Sequence, residues 1–271
     1  LVRAITTIVQ RKQGSRMSRV VSWFSCGAAS AVATKLAIAD GGPVTIVYCE
    51  VIEEHPDNKR FLKDCEKWFG QEIIIIGNDK YKRSIYDVFD KTRYLAGHIG
   101  ARCTLELKKN VRKEFELPTD RQVFGYTVEE HNRVDRFIDA NNEVELITPL
   151  IDRGLTKQDC LAMLQNAGIE LPTMYKLGYK NNNCRGCVKA QSPAYWKKIQ
   201  IDFPEYFEAM SAQEKRLGVK ICKATIDGVA DTRIPLTELP DHIKPMDDSI
   251  DAQCGIFCHM AEQDFNEREV A

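Results

Sequence analysis

The residues best suited to chemistry are the cysteines, and their surroundings divide them. The chain holds ten among 271 residues. Cys49, Cys65 and Cys160 sit among apolar or helix-patterned neighbours and read as buried thiols, since free cysteine packs as a small hydrophobe. Cys26, Cys103, the Cys184/Cys187 pair and the Cys254/Cys258 pair lie beside glycines, polar residues or turns. Cys184-Arg185-Gly186-Cys187 is a C-x-x-C in a glycine-bearing loop, which sets two thiols on one knuckle within reach of one metal. Alone, such a pair serves as a zinc half-site, a dithiol redox pair or an iron–sulfur half-site. A disulfide framework belongs to small secreted chains; this length, with no apolar core in residues 1–18 to act as a signal, favours intracellular metal or redox chemistry.

A second candidate is the segment Ser25-Cys26-Gly27-Ala28-Ala29-Ser30. It follows an apolar run of strand length and precedes an alanine-rich helical pattern. Small side chains there let backbone N–H groups and the helix dipole meet a phosphate closely; the plain alternative is a tight strand-to-helix turn with no ligand. No Walker lysine follows, so a P-loop ATPase is disfavoured. Arg102, Lys109 and Arg112 flank Cys103 and form either a positive patch for an anion or a solvated helix face. His55, His98 and His131 have no metal-ligand spacing, and Trp23, Trp68 and Trp196 lie in apolar patterns that suit a core.

These residues need a frame, and the pattern supplies an α/β one. Val20 to Phe24, Val44 to Cys49, Glu72 to Ile76 and Gln122 to Tyr126 read as strands, the third too apolar to have a wet face. Between them lie helices over Ala31 to Ala39, Asn58 to Phe69, Ser84 to Leu95 and Thr104 to Phe115. Continuous apolar strands alternating with helices indicate a parallel sheet covered on both faces. Helices follow over Lys157 to Ala167, Pro193 to Ile201 and Phe203 to Leu217, with a polar loop from Gly178 to Gly186. The expected organisation is an arm over 1–18, a nucleotide-binding domain over 19–200, and a mostly helical, acidic extension over 201–271. From Asp241 onward eight carboxylates face only Lys244 and Arg268. Net charge is -1, with 38 basic and 39 acidic residues, which argues against holding nucleic acid by bulk charge. No apolar run approaches the roughly 20 residues of a membrane span, so a soluble, cytoplasmic protein is expected.

Several of these segments carry a resemblance. Ser25-Cys26-Gly27-Ala28-Ala29-Ser30-Ala31-Val32 resembles the modified PP-loop of the phosphoadenosine-phosphosulfate (PAPS) reductase family, within the adenine nucleotide alpha-hydrolase-like superfamily. ATP-pyrophosphatase relatives read S-G-G-x-D-S; Ala29 stands at the aspartate, as in reductases that hold a sulfonucleotide and do not split ATP. Glu53-Glu54-His55-Pro56-Asp57 with Phe61 is similar to the family's turn after the second strand. Gly125 to Arg133 resembles its G-x-R-x-x-x-S-x-R stretch, with Arg133 on the final arginine and Thr127 in place of the first. Pro149-Leu150-Ile151-Asp152 and Leu177-Gly178-Tyr179 match further elements in order. Cys103-Thr104-Leu105-Glu106-Leu107-Lys108 is similar to C-C-x-x-x-K, 81 residues before Cys184, with Thr104 in place of the second cysteine. Gln253-Cys254-Gly255-Ile256-Phe257-Cys258-His259 resembles the E-C-G-L-H tail.

The resemblance implies a nucleotide held by Ser25, Cys26, Gly27, Ala28, Ala29, Ser30 and Arg133, and a 4Fe-4S cluster on Cys103, Cys184 and Cys187. Four thiolates suit zinc equally. Cys254 would be the nucleophile and Lys108, one helical turn from Thr104, a cation beside cluster and substrate. Cys258 is left as a resolving thiol or a further metal ligand. The implied reaction is reductive: a thiolate takes the sulfonate from a sulfonucleotide, and a thioredoxin-type dithiol releases sulfite. Two rivals share the frame. One is an ATP-dependent thiolation enzyme, acting on a nucleic acid or a small acceptor; the other is a non-catalytic nucleotide module with a structural metal. A homo-oligomer is compatible with each.

Overall fold

A computed structural model describes residues 18–97, 100–226, 228–248, 252 and 255–269, with 256 and 265–269 described through the backbone only. Five strands form one parallel sheet: β1 (Val20–Phe24), β2 (Val44–Cys49), β3 (Ile74–Ile76), β4 (Arg121–Val123) and β5 (Glu145–Ile147). Their order is β3-β2-β1-β4-β5, with Val20 opposite Val44 on one side and Arg121 on the other. Each strand therefore points the same way, and the chain reverses its direction of travel across the sheet at β1. In such sheets ligands bind where this reversal opens a crevice at the strands' C-terminal ends.

The alternation along β1 and β2 builds two sheet faces. Phe24, Ile46 and Tyr48 join the larger core with α1 (Ala28–Ala39), α2 (Asn58–Phe69) and, later in the chain, α6 (Lys157–Asn166). Val21, Trp23 and Val47 point the other way, where Phe115 and Phe124 pack on them. Helix α1 is buried around nearly its whole circumference, Ala31, Val32 and Leu36 all at 0 % exposure. Its alanines let the sheet lie close on one side and α6 on the other. Ser22 is tolerated inside because its hydroxyl meets Thr34 Oγ1 at 2.8 Å.

A second core lies beside the sheet. It joins Tyr81, α3 (Ile85–Thr92) and Leu107 to α7 (Pro193–Asp202), α8 (Pro204–Leu217), Cys222 and Leu236. The boundary expected at residue 200 runs through this core, so the C-terminal part shares its packing with earlier elements. That part is built on helices, as expected, with one interruption. Between α8 and α9 (Ile256–Glu269), residues Cys222–Ile226 and Val229–Ile234 pair as an antiparallel ribbon, β6 and β7. The third strand differs as well. It is an edge strand, with Ile74 and Ile75 44 % and 47 % exposed, and no strand among the described residues pairs beyond it.

Helix α4 spans residues 102–115 and is not uniform. Arg102–Thr104 and Asn110–Phe115 are α-helical, while Leu105–Lys109 forms a π-helical turn in which Asn110 N donates to Leu105 O. Such wide turns cluster at functional sites. This one replaces the simple α spacing expected between Thr104 and Lys108. No helix among the described residues is long and apolar enough to cross a membrane.

Candidate functional site

The segments of interest gather on the C-terminal edge of the sheet. The loop after β1 carries Ser25 to Gly27, β2 ends at Cys49 ahead of Glu53 and Glu54, and β4 runs into Gly125 and Tyr126. The loops after β1 and β4 flank the reversal point.

The first loop is built to leave amides exposed at the head of α1. Gly27 caps the helix without any side-chain hydrogen bond, so the first-turn N–H groups lack the usual capping oxygen. Cys26 takes the left-handed conformation, φ 55°, a strain of roughly 1–2 kcal/mol for a residue with a Cβ. Two serines brace the turn. Ser25 N and Ser25 Oγ both donate to Ser30 Oγ at 3.0 Å, and Ser30 Oγ donates to Gly27 O at 2.9 Å. Gly125 closes the rear, so near that a Cβ there would lie 2.6 Å from Ser30 N. Ala28 N donates to Tyr175 Oη at 3.2 Å. Burial pushes the Tyr175 phenol up to about 12, with the Ala28 and Asn182 backbone groups bonding to it and pulling the other way. Its oxygen accepts from the protein. The amides of Ala29 and Ser30 have no hydrogen-bond acceptor among the described residues.

The site residues expected here therefore separate. Gly27, Ala28 and Ala29 present backbone. Ser30 is 6 % exposed and braces the loop. Cys26 is fully buried, with Sγ 4.0 Å from Asn58 O, and desolvation, then the Glu54 charge, hold its thiol well above the normal range. The Cys26 side chain thus faces the core, and only its backbone borders the loop. Arg133 lies on α5 (His131–Ala140) across the crevice, pairs with Glu130, and stands 5.2 Å over the Tyr126 ring.

From the loop, buried hydrogen bonds lead to the cysteines. Asn182 Nδ2 donates to Cys26 O at 2.6 Å and to Asn58 Oδ1 at 2.8 Å. Asn58 Nδ2 donates to Glu54 Oε2 at 3.1 Å, which also accepts from Tyr48 Oη at 2.7 Å. Lys108 Nζ lies 2.6 Å from Glu54 Oε1. Burial alone would lower the Lys108 ammonium; the charges of Glu54 and then Cys184 outweigh it and hold it above the usual lysine range. The π turn delivers this lysine from α4 to a carboxylate that is 3 % exposed.

The charge of Lys108 is felt by the thiols of Cys184, Cys103 and Cys49. Cys184 is raised by desolvation, then by Glu54, with Cys187 and Cys103 adding to it. Cys103 is pushed up to about 11 by burial and then by Cys187, with Lys189 opposing. Cys49, at the tip of β2, is also raised to about 11 by burial, against the pull of Lys108. The C-x-x-C loop docks through Arg185: its backbone N and Nε donate to Glu53 O, and its guanidinium lies 4.0 Å over Tyr206. Cys187 N donates to Tyr195 Oη at 2.8 Å. Glu53 fixes α3 in turn, accepting from Ser84 Oγ at 2.6 Å and Ile85 N at 3.0 Å.

Cys103, Cys184 and Cys187 thus share one wall, close enough for each to feel another's charge, and their chemistry suits a thiophilic group. As the side chains stand, no three His, Cys, Asp or Glu among the described residues form a set that could hold a metal ion. Cys258 is elsewhere. It is fully buried in the larger core, on α9 against α1 and α6, and is held in a disulfide. A sulfur so engaged offers no thiolate, so the ligand role expected for it is withdrawn and the resolving-thiol role remains. Gln253 and Cys254 lie outside the described residues. Glu54, Asn58, Asn182, Tyr175 and Cys49 were not among the expected site residues. Only Glu54 stood in a motif, and the others meet through tertiary contacts that spacing does not encode. No protein-family model and no curated protein matches the chain.

Proposed function

We propose that this chain is an enzyme of sulfonucleotide-reductase type, binding an adenine nucleotide at the sheet's reversal point and carrying out thiol chemistry beside it. One observation supports the reading above the others. A helix head with free amides is joined, through an unbroken line of hydrogen bonds buried as far as Glu54 (Cys26–Asn182–Asn58–Glu54–Lys108), to a lysine whose charge reaches Cys184 and Cys49. Ala29 and Ser30 N–H, with the Tyr175 hydroxyl, would bind the anionic end of the nucleotide. Lys108, held protonated by Glu54, would offset negative charge on a phosphosulfate. Cys103, Cys184 and Cys187 are the residues that would hold an iron–sulfur cluster or zinc. Such a group, when bound, adds fixed charge beside the substrate.

In the proposed reaction a first equivalent of dithiol opens the Cys258 disulfide, and a Cys254 thiolate then attacks the sulfonate sulfur. A sulfur–sulfur bond forms, the sulfur–oxygen bond to phosphate breaks, and the nucleotide departs with that oxygen. A thioredoxin-type dithiol supplies two electrons, releasing sulfite and ending as a disulfide. The test is sulfite release from adenosine phosphosulfate and its 3′-phosphorylated form, with such a dithiol as reductant. Cys254→Ser should abolish release while leaving nucleotide binding intact. Pyrophosphate release from ATP and Mg²⁺ instead would favour the thiolation alternative, and binding with no turnover of any nucleotide would favour a non-catalytic module.

A further inference from the structure

Arg112 was one of the basic residues that a positive patch would use, and the structure treats it unlike its neighbours. Arg102 pairs with Glu106 at 2.8 Å and Lys109 is exposed. Arg112 is only 9 % exposed, inside a pile of aromatic rings. Its guanidinium carbon lies 5.5 Å over Phe124 and 5.4 Å over Phe137, and those rings are 5.1 Å apart. Phe124 and Tyr126 stack at 5.7 Å, with Arg133 on the outer side of Tyr126.

One edge of the guanidinium is occupied. Nε lies 3.1 Å from Glu116 Oε2, an ion pair not aligned as a hydrogen bond, and Nε is sealed from solvent with no other acceptor. Glu116 is itself held by Gln122 Nε2 at 2.8 Å. The other edge carries the two terminal nitrogens, which, unlike Nε, are not sealed from solvent. A guanidinium desolvated to this degree is costly unless its donors are met. Two parallel N–H groups on a flat fork match the oxygens of a tetrahedral oxyanion. The residue is also well placed. Its charge is felt by the Cys49 thiol at the tip of β2 and by Tyr126 beyond β4, on the sheet face opposite α1.

We propose that Arg112 is the anchor of an oxyanion subsite on the α4 side of the crevice, separate from the loop at the head of α1, taking a phosphate or sulfate group through its terminal nitrogens. The subsite does not rest on the nucleotide reading. Titrating the full chain with inorganic phosphate, at ionic strength held constant with chloride, tests it. The expected result is saturable binding that Arg112→Met weakens about 10–100-fold. Arg112→Lys restores it only in part, because an ammonium cannot present the fork. Ala29→Asp, which places a carboxylate at the loop, leaves it in place. Phosphate should raise the unfolding midpoint of Arg112→Lys, which keeps the question open to test where Arg112→Met folds poorly. Ribose 5-phosphate separates the sources. Tighter binding than free phosphate, lost with Arg112→Met, assigns the site to an ester of a larger ligand; equal binding assigns it to the free ion, and both support the subsite. Binding abolished by Ala29→Asp and untouched by Arg112→Met would overturn it while leaving the loop's anion role standing. Arg112→Lys binding as tightly as the wild type, or no saturable binding to the wild type, would overturn it too.

Discussion

Replacing Gly125 by alanine would set a methyl carbon 2.6 Å from Ser30 N and 2.7 Å from both Ala29 C and Ser30 Cα. All three are backbone atoms at the head of α1, so no side chain can swing aside. Restoring an ordinary contact of 3.4 Å from 2.6 Å requires the β4 loop and the helix head to part by 0.8 Å. Overpacking of this kind costs about 1–3 kcal/mol, or about 2–10 °C in unfolding midpoint for a chain of this size. The same displacement moves the Ala29 and Ser30 amides relative to Tyr175, and misplacement near 1 Å costs up to about 100-fold at a preorganised site. Thermal unfolding and nucleotide titration read the two effects separately. Gly168→Ala is the control: its φ of 71° makes a side chain costly, yet nothing lies within 4 Å of the added carbon. It should lose stability and keep nucleotide affinity. Full stability and unchanged affinity in Gly125→Ala would refute the close-approach reasoning.

Lys108→Met should cost about 1–3 kcal/mol, reduced from the 3–5 of a fully buried pair because the lysine side chain is 39 % exposed. Lys108→Met with Glu54→Gln should recover part of the loss, and a double-mutant cycle showing no coupling would break the proposed line of bonds. The Cys49 thiol is raised from 9.0 to about 11. Its reaction with iodoacetamide at pH 8 should be about 100-fold slower than that of an unperturbed thiol, because only the thiolate reacts and its fraction falls in step with the rise in pKa. Linkage gives the sign: a folded pKa above the unfolded value contributes stability that is complete below pH 9 and is lost as pH rises toward 11. Alkaline unfolding should therefore be less steep in Cys49→Ala.

The frame was largely legible. Strands β1 and β2 fall where apolar runs of strand length end in small or polar residues, and α2 spans the 12 residues that its apolar spacing marked. The parallel sheet follows from apolar strands alternating with helices, and two strands depart from that reading: β3, its isoleucines exposed at an edge, and β5, which the sequence pattern did not mark because Glu145 opens a run of only three residues. The ribbon of β6 and β7 was missed although Cys222, Ala224 and Ile234 alternate with Lys223, Asp231 and Arg233, because each strand is only five or six residues long and the register shifts between Ala224 and Ile226. At the site, spacing located the backbone cradle and the cysteine knuckle but not side-chain direction. Cys26 faces the core because its left-handed backbone turns the thiol toward Asn58. Lys108 meets Glu54 because α4 widens into a π turn, a feature no residue pattern announced. Cys258 was a candidate for the vacant fourth ligand position, yet α9 carries it into the larger core against α1 and α6.

The most direct test of a nucleotide held at the sheet's reversal point is calorimetric titration of the anaerobically prepared full chain with adenosine phosphosulfate, repeated with ATP and Mg²⁺. The expected result is saturable one-to-one binding of the sulfonucleotide, weaker binding of ATP, and loss of sulfonucleotide binding in Ala29→Asp. Heats no larger than dilution for both nucleotides, or sulfonucleotide binding indifferent to Ala29→Asp, would contradict it.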